Sequence, residues 1–419
     1  MLANIARLIQ RFMIAVFSTG IIIGLLNTDG SAEEAASSNT IVDAFVQGTP
    51  LADVRLRFEH VDQDGVANNA NALTLRTRLG YETATIHNVK LLVEVENITA
   101  IGDQDFNSTV NGNTSSPVVA DPNGTELNRA QITYSGIPDT VLTGGRQRII
   151  LDNARFFGNV GWRQNEQTFD AVRLDNTSLD NLTTTYAYIG QAQRIFGNKS
   201  AVGEFTGDSH ALNLTYSGFP FGALTGYAYL VDINEVLGLS SASYGVRFKG
   251  SHPLDTINLL YTAEYARQQD YEDNPATYSV NYYFIEAGAK YKAFTGKVGY
   301  EVLGGDGTSA FQTPYATLHA FQGFADVFLT TPSTGIKDLQ ASIAYVEKEV
   351  GPFDKLVLKA IYHDFKSEEG DLDYGSELDI VAAVSFLDHI TLLAKYADYD
   401  TDGFATDRRK FWLQAQAKL

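Results

Sequence analysis

From about residue 50 to its end the chain repeats one unit. Roughly ten residues alternate apolar with polar or small side chains, and a turn-rich connection follows. A period of two belongs to a strand with one apolar and one polar face, not to a helix. Clear examples are "ADVRLRFEH" (52–60), "ALTLRTRLGYE" (72–82), "VKLLVEVEN" (89–97), "SYGVRFKG" (243–250) and the closing "KFWLQAQAKL" (410–419). Eighteen such segments start near residues 52, 72, 88, 126, 140, 167, 183, 209, 223, 242, 256, 281, 294, 336, 355, 376, 389 and 409. Their connections alternate in length. Short ones fall near 85–87, 137–139, 179–181, 219–222, 252–255, 292–293, 349–354 and 387–389. Long ones occupy 61–71, 99–124, 150–166, 191–208, 233–241, 268–279, 304–335, 367–375 and 399–408.

Short turns at one end and long loops at the other are the layout of an all-β transmembrane antiparallel up-and-down barrel, here of about 18 strands. No segment after residue 32 has the run of about 20 apolar residues that a spanning helix needs. Only helices and closed barrels satisfy their backbone polar groups in lipid, so a membrane reading requires closure. An even strand count puts both chain ends on the short-turn side. A soluble propeller would repeat a blade of about forty residues, and no such repeat is present.

The N-terminus carries Arg7 and Arg11, an apolar run from Phe12 to Leu26, and small residues at Gly30, Ser31 and Ala32. This is the order of a cleavable signal peptide. The division is therefore residues 1–32 as signal peptide, 33–50 as a periplasmic N-terminal segment and 51–419 as the barrel. The expected location is the outer membrane of a Gram-negative bacterium. The expected partners are its lipid and lipopolysaccharide together with an anionic solute or polysaccharide. No nucleic acid is expected, and the oligomeric state stays open. The chain has no cysteine, which excludes disulfide scaffolds and thiolate chemistry.

Alternation then assigns faces. Arg55 and Arg57 oppose Val54, Leu56 and Phe58; Arg76 and Arg78 oppose Leu75 and Leu79; Lys90 opposes Leu91. Arg129, Arg146 and Arg148 are read as opposing Ile132, Tyr134, Val141 and Ile149. A cation on the lipid face costs roughly 2–4 kcal/mol at mid-bilayer. Eight would cost about 16–32 kcal/mol, beyond the roughly 5–15 kcal/mol a folded protein has to spare. These eight cations are thus expected in the lumen, beside Glu59, Glu82, Glu94 and Glu96, with Arg247 farther round. The chain can bear a formal charge of -19 and still hold a basic inner wall, because its acidic excess lies largely in loops such as "SEEGDLDYGSE". Such a wall favours anions; the competing reading is that the arginines pair with lumenal acids and stiffen the wall.

Two loops carry apolar residues that open loops rarely expose. Residues 150–166 hold Arg155, Phe156, Phe157, Trp162 and Arg163, and are expected to fold inward as a constriction. Residues 304–335 are expected to pack into the lumen as a plug, with helical spacing at Leu318, Phe321 and Phe324. In the last loop Asp398, Asp400 and Asp402 precede Gly403, the first half of a calcium-loop pattern, although Arg409 stands where the bidentate acid belongs. No other cofactor is expected. The seven histidines are scattered, and no nucleophile, phosphate-loop or zinc motif occurs, so a membrane-embedded hydrolase is the minor alternative.

The run "GRQRIILDNARFFGNVGWRQNEQTFDAVRL" (145–174) resembles the alginate export family of outer-membrane barrels. So do "YEVLGGDGTSAFQTPYATLHAFQGFADVFLTTP" (300–332), "YHDF" (362–365) and "KYADYDTDGFATDRRKFWLQ" (395–414). The resemblance implies an eighteen-stranded barrel with an electropositive lumen that moves an anionic uronic-acid polysaccharide outward. It also implies that Arg146, Arg148, Arg155 and Arg163 contact carboxylates. A channel for small anions or organic acids, or a nutrient-uptake porin, fits the residues equally well.

Overall fold

Alternating side chains commit each segment to a half-buried strand, and the short turns commit neighbours to antiparallel pairing. The computed structural model describes residues 40–419; the expected signal peptide lies outside the described residues. A short helix, α1 (Ile41–Val46), precedes the strands. In chain order these are β1 (Thr49–Gln63), β2 (Ala70–Glu82), β3 (Val89–Ala100), β4 (Gly124–Ile137), β5 (Thr140–Gln147) and β6 (Thr168–Leu179). Next come β7 (Leu182–Gln193), β8 (Glu204–Phe219), β9 (Gly222–Val231), β10 (Ser241–Leu254), β11 (Ile257–Asp270) and β12 (Ser279–Tyr291). The last six are β13 (Phe294–Leu303), β14 (Ile336–Val350), β15 (Phe353–Lys366), β16 (Asp373–Phe386), β17 (Ile390–Asp400) and β18 (Arg408–Lys418).

Each strand pairs antiparallel with its sequence neighbours, and β1 pairs with β18, so one 18-stranded sheet closes on itself. Closure removes both sheet edges, which is what a sheet in lipid needs. The turns between strands place Asp139, Asn181 and Asp255 at φ of 54°, 62° and 53°, where Asp and Asn tolerate the left-handed backbone.

The outer face carries an apolar belt. Val172, Ile285, Val298 and Ile343 are 56%, 63%, 57% and 56% exposed. Side chains one residue away on two of these strands, Ala171 and Phe284, are buried. Lipid outside and a filled interior account for both.

Candidate functional site: a lumen bridged by two loops

The inner wall has two chemistries. Around β1–β4, β17 and β18 it is charged: Arg55, Arg57, Glu59, Arg76, Arg78, Glu94, Glu96, Lys395 and Lys410 are all buried. Around β6–β9, β12, β15 and β16 it is largely aromatic and apolar, with Phe169, Tyr229, Tyr282, Phe365 and Tyr374 in one buried cluster. Strand alternation exposes the first set to sequence reading. The second was missed, because an inward aromatic looks like a lipid-facing one until a loop is known to cover it.

The covering loops are L3 (residues 148–167) and L7 (residues 304–335), and both enter the lumen as expected. Phe157 of L3 packs against Phe169, Tyr229 and Tyr315, and Phe328 of L7 against Phe365, Tyr374 and Tyr399. The loops are also tied to each other. Gly158 donates its N–H to the Tyr315 carbonyl (2.9 Å) and Thr317 to that of Ala154 (3.0 Å). The Gln167 amide donates to the carbonyls of Gly158 (2.9 Å) and Tyr315 (3.0 Å). The helical spacing seen in L7 does not produce a helix beyond the single turn Leu318–Ala320. Gln322, Gly323 and Asp326 have φ of 27°, 83° and 60°, and positive φ cannot continue a right-handed helix. Gly323 also needs its missing side chain, since a Cβ there would strike the Glu377 carboxylate. That turn lets Phe324 and Ala325 donate backbone N–H groups to Asp379 (3.1 Å) and Glu377 (2.7 Å).

Ionic anchors fix the loops to the wall. Glu166 accepts from Arg148 (2.5 Å), Asn128 (2.6 Å) and Asn159 (2.7 Å), and Arg78 stands 3.3 Å away. Burial would raise the Glu166 carboxyl, but Arg78 and Arg148 hold it down at about 2. Arg155 donates to Glu301 (2.8 Å), Thr313 (3.1 Å) and Gln322 (3.2 Å). Arg163 binds both oxygens of Glu59 (3.0 and 3.2 Å) and stands 3.5 Å from Asp326.

Asp326 is also held by Lys410 (2.7 Å) and by His319 Nδ1 (2.6 Å). The other His319 nitrogen, Nε2, lies 2.6 Å from Lys395 Nζ; with the lysine donating there, the imidazole proton sits on Nδ1 and is given to Asp326. Burial drives His319 down to about 3, against the pull of Asp326 and with that of Lys395. Its ring stacks on Trp162 at 4.7 Å and 2°, and the Arg57 guanidinium lies 4.0 Å over Trp162. Lys395, Lys410, Trp412, Asp326 and Glu166 were not singled out from sequence, although the parity of "KFWLQAQAKL" already puts Lys410 and Trp412 with the inward glutamines.

The expected lumenal cations divide into three groups. The first is clamped by acids: Arg78 by Glu96, Arg129 by Glu94 (2.9 and 2.9 Å), Arg148 by Glu166, Arg247 by Glu264 and Lys90 by Glu82 (3.1 Å). In the second, Arg55 and Arg57 rest on neutral acceptors and Arg76 on a single carboxylate. Arg57 donates to the Gln414 amide oxygen (2.7 Å). Arg55 donates to Gln416 (3.2 Å) and to the carbonyls of Gly161, Trp162 and Arg163. Arg76, directly opposite Arg55, stands 2.7 Å from Asp53. Among the described residues Arg57 Nη1 and Arg76 Nε and Nη1 have no hydrogen-bond partner.

The third group is a correction. Arg146 faces outward: the register pairs it with Ala130 and Asp170, on the face of Ile132, Gly144 and Val172. It binds Asp170 through two 2.8 Å bonds where β5 ends. The inward positions of β5 are Thr143, Gly145 and Gln147, and the adjacent apolar pair Val141-Leu142 made the opposite parity look equally good. Arg148 reaches the lumen because the strand has ended before it.

The three aspartates of the last loop are not gathered. Asp398 accepts from the Tyr396 hydroxyl (2.8 Å) and stands 3.4 Å from Arg409, Asp400 ends β17, and Asp402 follows it. Among the described residues no three acidic or histidine side chains converge as a metal site.

Between L7, the end of L3 and the long-loop ends of β1 and β18 lies a cavity of about 600 Å3, with Arg194, Arg408 and Lys410 beside Val118, Phe196 and Leu329. The closed sheet, apolar belt and bridged lumen define an outer-membrane β-barrel of porin-like architecture. Residues 51–200 match the family model described as Alginate export, which agrees with the resemblance read from sequence over the first seven strands. No curated protein matches the chain. Solved structures similar to it include OccAB4 of Acinetobacter baumannii, with TM-score 0.67 and 15% identity over 89% of this chain and 98% of that one. OpdO of Pseudomonas aeruginosa gives 0.68 and 14% over 90% and 98%. OpdQ of the same organism gives 0.68 and 16% over 90% and 99%. At such identities the likeness concerns the fold.

Proposed function

We propose that the barrel is a passive channel for anionic solutes, narrowed by the joined L3 and L7. The observation that carries this reading is the Arg55, Arg57 and Arg76 cluster. Guanidinium groups stay charged at any working pH, and among the described residues only Arg76 of these three has a carboxylate, that of Asp53, within ion-pair distance. Their field acts in a low-dielectric bore, where it raises the local concentration of anions. Passage of this kind needs no nucleophile and no cofactor. Export of an anionic polysaccharide is the second reading, favoured by the family match over the strands that hold this cluster.

The test is conductance in a planar bilayer under a salt gradient. An anion-selective reversal potential is expected, and a cation-selective one would sink the proposal. Block of that current by uronic-acid oligomers, absent with neutral sugars, separates the export reading from a small-anion channel.

A further inference from the structure

Helix α1 stands at the short-turn end of the barrel, before β1. Ile41, Val42, Phe45 and Val46 are 69%, 70%, 52% and 77% exposed, whereas Ala44 is buried. At 100° per residue these four share one face of the helix. Six residues do not sustain a helix alone in water, so contacts must fix this one. Ala84 of the turn before β3 donates its N–H to the Ala44 carbonyl (2.9 Å). The Tyr81 hydroxyl donates to the Phe45 carbonyl, and the Phe45 ring stacks on Tyr81 at 6.4 Å and 10°.

Tyr81 belongs to the outward face of β2, paired with Val93 and sharing that face with Leu79. Leu79 and Val93 are 59% and 50% exposed and belong to the lipid belt. The unpartnered face of α1 therefore continues the belt at its short-turn rim, outside the bore. We propose that α1 lies in the membrane interface and seats Ile41, Val42, Phe45 and Val46 among the acyl chains of the leaflet at the short-turn end. A short amphipathic helix does this by burying its apolar face about 5–10 Å into the headgroup boundary. The lipid belt is what it adjoins, and the occupant is therefore lipid rather than a second copy or another protein. This anchoring is independent of what passes through the lumen.

Both native tryptophans, Trp162 and Trp412, face the interior, so a tryptophan added on α1 is read against a lipid-shielded background. The full chain carrying Val46→Trp or Val42→Trp would be reconstituted in phosphatidylcholine vesicles brominated near the top of the acyl chain, with folding checked by its heat-modifiable gel mobility. Quenching of the added fluorescence on the order of twofold is expected at an interfacial depth, with Asp43→Trp little affected. Equal quenching at all three positions, or none beyond the parent, would overturn the proposal. Because the chain lacks cysteine, a spin label on Val42→Cys gives a second reading. Oxygen should relax it faster than a water-soluble nickel chelate does, and the reverse order would also overturn the anchor.

Discussion

Arg148 and Arg57 are both inward arginines near L3, yet they stand in opposite circumstances. Arg148 grips Glu166, which also gathers Arg78, Asn128 and Asn159. Arg57 meets an amide oxygen and the face of Trp162 and keeps one nitrogen unpartnered. A clamped arginine is mechanical: its charge is spent on a carboxylate, and it pins a loop. An arginine held by neutral acceptors keeps its charge unneutralised by that partner, which is what the proposed anion preference rests on. Residue type does not distinguish the two; the partner does.

The largest test of this contrast removes the clamp. Glu166→Gln should strip the shared counter-charge from Arg78 and Arg148 and destabilise the docked L3 by about 3–5 kcal/mol, the usual cost of leaving buried charge uncompensated. Single-channel conductance should rise and flicker as L3 loosens. Unchanged conductance would show that the clamp does not hold the constriction.

Acidification attacks the other anchor. His319 is held near 3 in the docked loop, against about 6.5 when free. Its depressed value makes docking strongest above about pH 6.5 and progressively weaker toward pH 3, at about 1.4 kcal/mol per unit. Glu166, held near 2, adds to the loss only below about pH 4.5. At pH 5 the L7 turn around Gly323–Asp326 should thus lose roughly 2 kcal/mol of docking. Amide exchange there, corrected for its intrinsic rate, should be faster at pH 5 than at pH 7. Slower exchange would mean a protonated His319 paired with Asp326.

Selectivity should separate the two arginine groups directly. Replacing Arg57 and Arg76 with Gln should lower the anion-to-cation permeability ratio by about tenfold, the low end of electrostatic focusing. Removing a whole pair, Arg129→Gln with Glu94→Gln, should move it much less, since a positive and a negative charge leave together. Equal shifts would erase the distinction. The smallest effect belongs to Arg146→Gln: selectivity unchanged, and stability lower by about 1 kcal/mol or less, as for a half-exposed pair. A clear change in reversal potential would place Arg146 in the bore after all.

The strand rhythm was legible because period-two alternation and turn chemistry are local. The eighteen starts read from sequence lie within a few residues of the observed strands, and the long connections named L3 and L7 are the ones that turn inward. The inward parity of Arg55, Arg57, Arg76 and Arg78 was legible because the apolar residues beside them fall on one parity only. Arg146 was not, since Val141 and Leu142 are both apolar and parity had no local anchor. The grip on Glu166 joins strands and loops far apart in the chain, and no short window contains it. Asp326 likewise gathers Arg163, His319 and Lys410 from three separate elements.

By itself the sequence determined a sheet that must close: its alternation gives every strand a greasy and a polar side, and lipid tolerates no open edge. Only the tertiary structure decided which arginines are neutralised. Charge pairing depends on distances of a few ångströms between residues a hundred or more positions apart, and those distances exist only once L3 and L7 have folded into the bore.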